Sequence, residues 1–393
     1  MSTYSARLAA LRDQLARDRL DGFVVPLTDE HMSEYVGAYA QRLAWLTGFQ
    51  GSAGTAVVLP QDAAIFVDGR YTIQVREQVS PEDWQYVGVP DTSVAGWLGA
   101  HAREGARIGY DPWLHTRAWV EEARAALAGV GAELVAVDAN PVDAVWPDRP
   151  APSDAPLRVQ PDDVAGRSSA AKRADIADWL AGVGADAVVI PALDSIAWLL
   201  NVRGSDVSRT PVALSYTIVH ADGTADLFVG LGKVDDTVAQ HLGNAVRVQD
   251  RARFAAALGD FAGKRVAIDP ALAVAAIFDR VEAGGGTPLA LRDPTVIAKA
   301  TKNPTEITGH RAASLRDGAA LTRFLKWVSE EAPKGGQTEL SAAAKLEEFR
   351  QATGVLKDQS FDAISATGPH GAIPHYHVKI GRAHAELQSR LHL

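Results

Sequence analysis

The sequence of 393 residues predicts an α/β protein with two similar domains in tandem and a different segment after them. In each half, a helical stretch precedes short β-branched runs bounded by Gly, Asp or Pro, a pattern typical of buried strands. The tripeptide Ala-Trp-Leu at 44–46 returns at 197–199, and "RIGYDPWL" at 107–114 returns as "RVAIDPAL" at 265–272. Because both the order and the spacing of these segments repeat, we predict a duplicated α/β domain.

The predicted elements follow the same order in both halves. The first half opens with a helix in which Leu8, Leu11 and Leu15 recur at helical spacing, and Gly22 ends the pattern. Strands are predicted in "DGFVVPL", "GSAGTAVVL", "AAIFVDG" and "RIGYDPWL". The corresponding strings of the second half are "ADAVVIPAL", "VALSYTIVH", "ADLFVG" and "RVAIDPAL".

A proline-rich stretch separates the two halves. Six prolines lie from Pro141 to Pro161. Proline fixes its own φ and disfavours helical geometry in the residue before it, so we predict an extended linker at 146–166. The first domain then spans residues 1–145 and the second spans residues 167–303.

The pattern changes in the segment 304–378. One long amphipathic helix is predicted there, with Thr305 as its N-cap and Pro333 as its stop. A second helix is predicted to start at Thr338 and to end near Gly354, and the strand-like string "FDAISATG" follows it. Two helices and one strand cannot bury their own apolar faces. We therefore predict that this segment is the start of a third domain that this chain does not finish.

Composition and charge exclude several classes of protein. A formal net charge of −9 and a pI near 5.7 argue against binding to nucleic acid or to an anionic membrane surface. There is no cysteine, so disulfides and thiolate sites are excluded. The first residues lack the apolar core of a signal peptide, and no apolar run approaches the length of a membrane span. We therefore expect a cytoplasmic protein without a membrane partner.

Three histidines lie close together in "GPHGAIPHYHV": His370, His375 and His377. On a strand, His375 and His377 would share one face, which makes a His-x-His metal pair conceivable. Two ligands without a nearby carboxylate or third histidine form a poor metal site. A catalytic base with a pKa near neutrality and a hydrogen-bonding strand residue are the other two interpretations.

Four segments, in this order, carry a resemblance to a known family: "RLAWLTGFQGSAGTAVVL", "LDSIAWLLNVRGSDVSRTPVALSY", "KNPTEITGHRAASLRDGAAL" and "SFDAISATGPHGAIPHYHV". Together they resemble the three-domain aminopeptidase P branch of the creatinase/methionine-aminopeptidase superfamily, peptidase family M24. The resemblance implies two tandem creatinase-N-terminal-like α/β domains with mixed sheets. It also implies that the start of an incomplete α+β pita-bread catalytic domain follows them.

The resemblance implies a chemistry as well: metal-dependent hydrolysis of the N-terminal bond in peptides that carry proline at the second position. In the family, two divalent cations, usually Mn²⁺, are held by two aspartates, a histidine and two glutamates. Paired cations acidify a bridging water and stabilise the tetrahedral oxyanion. The complete enzyme is also a candidate for a homodimer.

The family's metal ligands all lie downstream of "GAIPHY", where this sequence offers no match. From Lys379 the chain stops resembling the family, and "IGRAH" back-translates to a common sequencing-adapter sequence, so we expect 379–393 to be a non-native tail. We therefore expect this chain to bind no metal and to be inactive as an N-terminal fragment. The alternative is a non-catalytic module for binding or oligomerisation.

The resemblance also implies roles for single residues. His375 matches a family histidine that contacts substrate and stabilises the reaction intermediate, a task suited to an imidazole. Glu34 in "SEYV" and Arg70 in "DGRY" match residues that reach toward the catalytic cleft and help recognise substrate, although Arg70 could instead form a surface ion pair. His377 is expected to be structural. His370 stands where the family usually has asparagine, and we expect it to be a solvent-exposed turn residue.

Overall fold

The computed structural model describes residues 3–376. The chain divides into two compact units, one that ends at Lys302 and one that begins at Asn303. Among the described residues, the first unit contains two six-stranded sheets with thirteen α-helices, and the second contains two α-helices.

The first sheet is mixed and has the strand order β4-β3-β2-β1-β5-β6. The central strand β1 is antiparallel to β2 and parallel to β5, and the two outer pairs are parallel. Its strands are β1 Gly22–Pro26, β2 Thr55–Val58, β3 Ala63–Val67, β4 Gln85–Gly88, β5 Arg107–Tyr110 and β6 Glu133–Ala136.

The second sheet repeats this arrangement. Its order is β12-β11-β10-β8-β13-β14, with β8 in the central position that β1 occupies in the first sheet and with the same directions throughout. Its strands are β8 Ala187–Ile190, β10 Ser215–His220, β11 Ala225–Val229, β12 Val246–Asp250, β13 Arg265–Ile268 and β14 Thr287–Ala290. The predicted duplication is therefore a duplication of strand order and direction.

Helices pack on both faces of each sheet. On β1, Phe23 and Val25 face one core, together with α1 and α2, and Val24 faces the other, together with α4 and α5. This alternation follows from the two-residue period of a strand.

The helices of the first unit are α1 Tyr4–Arg17, α2 Arg42–Thr47, α3 Gln74–Gln78, α4 Val94–His101, α5 Arg117–Ala128, α6 Pro141–Val145, α7 Asp162–Ala165, α8 Ser169–Val183, α9 Leu193–Leu200, α10 Asp236–Leu242, α11 Phe254–Ala257, α12 Ala275–Ala283 and α13 Thr295–Ala300.

Equivalent residues of the two copies make the same hydrogen bonds. The Asp21 carboxylate accepts from the Arg107 backbone N–H at 2.9 Å, and the Asp186 carboxylate accepts from the Arg265 backbone N–H at 2.7 Å. In both copies the aspartate N–H donates back to the arginine carbonyl at 2.8 Å. Each pair closes the junction between a central strand and its parallel neighbour.

The two copies also contact each other through equivalent segments. Thr116, the N-cap of α5, forms an antiparallel bridge with Val274, the N-cap of α12. The Ala275 N–H donates to the His115 carbonyl at 2.8 Å. The two sheets thus belong to one compact unit, although each has helices and apolar clusters of its own.

Most of the proline-rich linker predicted at 146–166 forms neither helix nor strand, but part of it does. Strand β7, Arg158–Val159, pairs with β9, Val202–Arg203, and the short helix α7 follows Pro161. A proline is tolerated directly before a helix because the first N–H groups of a helix have no partner within it. The end of the predicted linker is therefore attached to the second sheet's domain.

The second unit contains two packed helices, α14 Pro304–Glu331 and α15 Glu339–Gln351. The N-cap of α14 is Asn303 rather than the predicted Thr305, because Asn303 and Glu306 form a reciprocal capping box and Pro304 occupies the first position. The predicted N-cap of α15, Thr338, is confirmed by its bond to the Ser341 N–H at 3.1 Å.

The strand predicted from "FDAISATG" is wrong for the described chain, in which residues 361–367 form neither helix nor strand. A strand requires a neighbour for its backbone groups, and no strand of the second unit is present within residues 303–376 to supply one. Several apolar side chains of this unit are exposed: Ile307, Leu315, Leu321, Leu325, Leu340, Val355, Phe361 and Ile364.

Candidate functional site

The residues singled out from the sequence lie in both units. Glu34 and Arg70 belong to the first unit, and His375 belongs to the second. His377 lies outside the described residues. Two local groups of polar side chains can therefore be built, one around each set.

Glu34 contacts a surface group centred on Ser52 and Tyr71. The Ser52 hydroxyl donates to the Glu34 carboxylate at 2.9 Å and lies 2.8 Å from the Tyr71 hydroxyl, which also accepts from the Ser52 N–H at 3.1 Å. The Tyr71 ring is fully buried and packs edge-on against Phe49, with ring centroids 5.5 Å apart. A buried ring thus holds the hydroxyl pair beside a carboxylate that faces solvent.

Arg70 lies next to this group, in the short 3₁₀ helix Gly69–Tyr71. Its guanidinium forms two hydrogen bonds with Asp68, at 3.0 and 2.7 Å, and lies 5.2 Å from the centre of the Tyr71 ring. The hydrogen bonds to Asp68 raise the pKa of Arg70 above its usual value. The ion pair expected as the alternative for Arg70 is present, with Asp68 as the partner. The Arg70 guanidinium also lies over the ring of Tyr71, whose hydroxyl contacts Ser52 beside Glu34.

The second group surrounds Glu339, the first residue of α15. The Glu339 side chain is 0% exposed and accepts from three residues of the segment that follows the helix. These donors are the Thr367 backbone N–H at 2.7 Å, the His370 Nδ1 at 3.0 and 3.1 Å, and the Tyr376 hydroxyl at 3.0 Å. Burial and Glu339 raise the pKa of Tyr376 to about 12.

The expectation that His370 is a solvent-exposed turn residue holds in part, because its side chain is 36% exposed but is not free of partners. His370 does lie in a turn, the 3₁₀ helix Gly368–Ala372, but its ring pairs with Glu339 and stacks on Tyr376, with centroids 4.5 Å apart and planes at 19°. His375 is half-buried in the same segment, directly before Tyr376. Sequence reasoning missed Glu339, because an acidic residue at the start of a helix is ordinarily accounted for by the helix dipole.

A third polar group joins the two domains of the first unit and was also missed. Arg251 donates to the Glu30 carboxylate and to His31 Nε2, the latter at 3.2 Å. The Tyr39 hydroxyl donates to Glu30 at 2.8 Å, and His31 Nδ1 lies 2.9 Å from the Pro191 carbonyl. The sequence signal is the acidic-histidine string "DEH" at 29–31, which gives no indication of its partner in the other domain.

A protein site for a divalent metal ion needs several His, Cys, Asp or Glu side chains close together. Within residues 3–376, no group of three His, Cys, Asp or Glu side chains lies close enough to hold a metal ion. His370 and Glu339 form a pair, and a pair is too small a ligand set for a divalent ion in a protein cage. No described helix combines the length and the apolar composition that crossing a membrane requires.

Sequence profiles of known families match the chain in three consecutive parts. The creatinase/prolidase N-terminal domain matches residues 7–145, and a second profile of the same description matches residues 148–306. The profile of metallopeptidase family M24 matches residues 308–389, which include most of α14, all of α15 and His375.

Relatives and a solved structure match nearly the whole chain. The chain is 37% identical over 386 residues to "Probable Xaa-Pro aminopeptidase P" of Aspergillus clavatus. This alignment covers 95% of this chain and 58% of the relative. The relative of the same name from Penicillium rubens is 35% identical, with 95% and 62% covered. The crystal structure of X-prolyl aminopeptidase from Caenorhabditis elegans, a cytosolic enzyme with a di-nuclear active site, aligns with a TM-score of 0.92 and 30% identity over 98% of this chain.

This chain belongs to the aminopeptidase P branch of the M24 metallopeptidases. It spans about 58–62% of the two curated relatives and 66% of the solved chain. The fold expected from the resemblance is confirmed: two tandem creatinase-type domains with mixed sheets precede an M24 segment. Within this chain, the Glu339 group lies in the M24 segment and the Glu34 group lies in the first creatinase-type domain.

Proposed function

We propose that the chain is part of an Xaa-Pro aminopeptidase, which hydrolyses the bond between the first residue of a peptide and a proline at the second position. The single observation that carries the proposal is the 37% identity to a named Xaa-Pro aminopeptidase P over 95% of this chain. The substrates are peptides with proline at the second position. Cytoplasmic location, Mn²⁺ as the physiological ion and homodimerisation are parts of the same proposal for the complete enzyme.

His375 is the proposed catalytic residue of the described chain. An imidazole can accept or donate a proton near neutral pH and can donate a hydrogen bond to a developing oxyanion. Its half-buried place beside Tyr376, whose hydroxyl is bonded to a buried carboxylate, supports a fixed rather than a freely moving ring. We assign it substrate contact and stabilisation of the intermediate.

Glu34 and Arg70 are the proposed substrate-recognition residues. One carries a carboxylate that accepts from Ser52, and the other carries a guanidinium that is 45% exposed. Charges of both signs around one buried tyrosine could bind the charged ends and backbone groups of a short peptide. Their partial exposure supports this assignment, because a recognition residue must be reachable by solvent.

The family implies two divalent ions, and such ions supply the activated water for amide hydrolysis. The residues 3–376 do not offer a ligand set that fits them. We therefore assign no step to a metal held by these residues, and we propose that the chain of 393 residues is inactive when it is tested alone. The same observation favours a second candidate function, a non-catalytic module for binding or oligomerisation.

The test compares two purified proteins: the 393-residue chain and the product of the gene read through the codons that follow Val378 in source DNA. Release of the first residue from an Xaa-Pro peptide is measured with Mn²⁺ and with a chelator. We expect chelator-sensitive hydrolysis from the second protein and none from the first. Robust hydrolysis by the 393-residue chain would overturn its proposed inactivity. A natural stop directly after Val378 would favour the non-catalytic module.

A further inference from the structure

We propose that Glu339 is a positioning residue for His375. The inference rests on the proposed function, because it takes His375 as the residue that meets substrate. Glu339 is a fully buried carboxylate at the start of α15. A buried charge is tolerated when it is hydrogen-bonded, and here the three donors Thr367, His370 and Tyr376 all come from the segment that carries His375.

The three donors hold the segment 367–376 at both ends and near its middle. Thr367 binds through its backbone N–H, His370 through its ring, and Tyr376 through its hydroxyl. Apart from the turn Gly368–Ala372, this segment has no regular secondary structure. The Glu339 carboxylate therefore fixes the position of this segment, as hydrogen bonds to a neighbouring strand fix the position of a strand.

The turn transmits this attachment to His375. The Ile373 N–H donates to the His370 carbonyl at 3.1 Å, and the Tyr376 N–H donates to the Ile373 carbonyl at 3.2 Å. Ile373 is itself buried, with 8% of its surface exposed. His375 therefore lies between a buried apolar residue and a tyrosine fixed to Glu339, which leaves its backbone little freedom.

The pairing also determines the tautomer of His370. A carboxylate only accepts hydrogen bonds, so the His370 nitrogen that faces it, Nδ1, carries the hydrogen. A glutamine at position 339 would keep one acceptor oxygen and would present an NH₂ group that cannot accept from the other donors. Glu339→Gln is therefore a nearly isosteric substitution that removes acceptors and leaves the size of the side chain unchanged.

The experiment uses the 393-residue chain labelled with ¹⁵N-histidine, with the His375 imidazole signals assigned by their loss in His375→Gln. We expect Glu339→Gln to change the Nδ1–H signal of His370, because one of its two acceptor oxygens is lost, and to shift or broaden the His375 signals. Tyr376→Phe, which removes one donor and no charge, should shift the His375 signals in the same direction and by less. Glu348→Gln is the matched control, because Glu348 lies on the same helix and is 65% exposed. It should change neither ring.

Unchanged His375 signals in both folded Glu339→Gln and folded Tyr376→Phe would overturn the proposal. Should Glu339→Gln fail to fold, Tyr376→Phe decides the outcome. His370→Asn keeps an N–H donor toward Glu339 and should preserve the His375 signals, whereas His370→Leu should not. None of these readouts depends on turnover. A complete enzyme without Xaa-Pro hydrolysis would refute the proposed function, whereas the link between Glu339 and His375 is decided by the histidine signals alone.

Discussion

Arg251 of the second creatinase-type domain binds Glu30 of the first. The ring of His31 bridges Arg251, through Nε2, and the Pro191 carbonyl, through Nδ1. The geometry requires a neutral His31, because its Nδ1 must donate to a carbonyl and its Nε2 must accept from a guanidinium. Burial lowers the pKa of His31, in agreement with this neutral form. Burial acts against the charge of Glu30, but the charge of Arg251 and the hydrogen bonds to the carboxylate outweigh burial and lower the pKa of Glu30.

Arg251→Met is expected to destabilise the first unit by about 3 kcal/mol, because it leaves the Glu30 carboxylate buried without its cation. Arg117→Met is the matched control, since Arg117 also bridges the two domains, through Glu282 at 2.8 Å, but both side chains are more than a third exposed. Its cost should stay below about 1 kcal/mol. Urea unfolding at neutral pH measures both, and equal losses would contradict the buried role of Arg251.

His115 should make the stability of the first unit depend on pH. Burial lowers the pKa of His115 from 6.5 to about 3, and its ring stacks on Trp119 with centroids 3.9 Å apart. A lowered pKa means that the unfolded chain binds the proton first, so the contribution is complete above pH 6.5 and is lost as the pH falls toward 3. The expected slope is about 1.4 kcal/mol per pH unit for this histidine.

His115→Phe removes the titrating group and should reduce that slope between pH 6 and 4.5, measured as the change in unfolding free energy with pH. Absolute stability is a poorer measure, since the substitution also removes a hydrogen bond to the Val24 backbone. His101→Phe is not a suitable control, although His101 is exposed, because the His101 ring stacks on Trp97 and the substitution would change that contact. His310→Gln, on the exposed surface of α14, serves instead and should leave the slope unchanged.

Limited proteolysis should separate the two units. Leu315 and Leu325 on α14 are 78% and 59% exposed, and residues 355–367 form no helix or strand. Segments with few buried contacts open more often and are cut first. We expect trimming to near residue 300 and a resistant fragment of about that length, identified by mass spectrometry. Equal resistance of residues 304–376 would contradict the exposure of this helical pair and would favour the stand-alone module.

In the complete enzyme, His375→Ala should lower kcat by about 10²–10³-fold with a smaller change in KM, because the imidazole acts on the reacting centre. Steady-state kinetics on an Xaa-Pro peptide measures the two parameters, and circular dichroism verifies the fold. Unchanged turnover would make His375 a structural residue.

Arg70→Ala should reduce kcat/KM of the complete enzyme about tenfold, which corresponds to about 1.4 kcal/mol of binding. The unfolding free energy should change by less than about 0.5 kcal/mol, since the Asp68 pair is at the surface. Arg167→Ala is the control, as Arg167 forms a similar exposed pair with Asp175 in the other domain. Equal kcat/KM for both variants would reduce Arg70 to a surface ion pair.

The duplicated sheets could be predicted because their signal is local. The apolar runs and the turn residues around β1 and β8 repeat in the sequence, and a shared strand order in the two sheets then follows from the equivalence of the two copies. The Asn303 cap was missed because Thr305 is also an acceptable N-cap residue, and only the contact of Asn303 with Glu306 decides between them.

The polar groups could not be predicted, because their partners lie far apart in the chain. Arg251 and Glu30 belong to different domains, and Glu339 is separated from Tyr376 by a helix and an irregular segment. A single sequence shows the charge of such residues but not the burial that gives them their role. The failed strand at 361–367 has the same cause, since a strand depends on a neighbour that its own residues do not specify.

Two copies of one strand order in a single chain create a risk of exchange, in which a strand of one copy pairs within the sheet of the other. The order of synthesis limits this risk. All six strands of the first sheet are available once Ala136 has left the ribosome, while the first strand of the second sheet begins only at Ala187. Domains generally fold as units during translation, with the N-terminal one first. The aspartate–arginine junction of the first copy can therefore close before the equivalent junction of the second copy exists, and the proline-rich segment between them delays the synthesis of the competing strands.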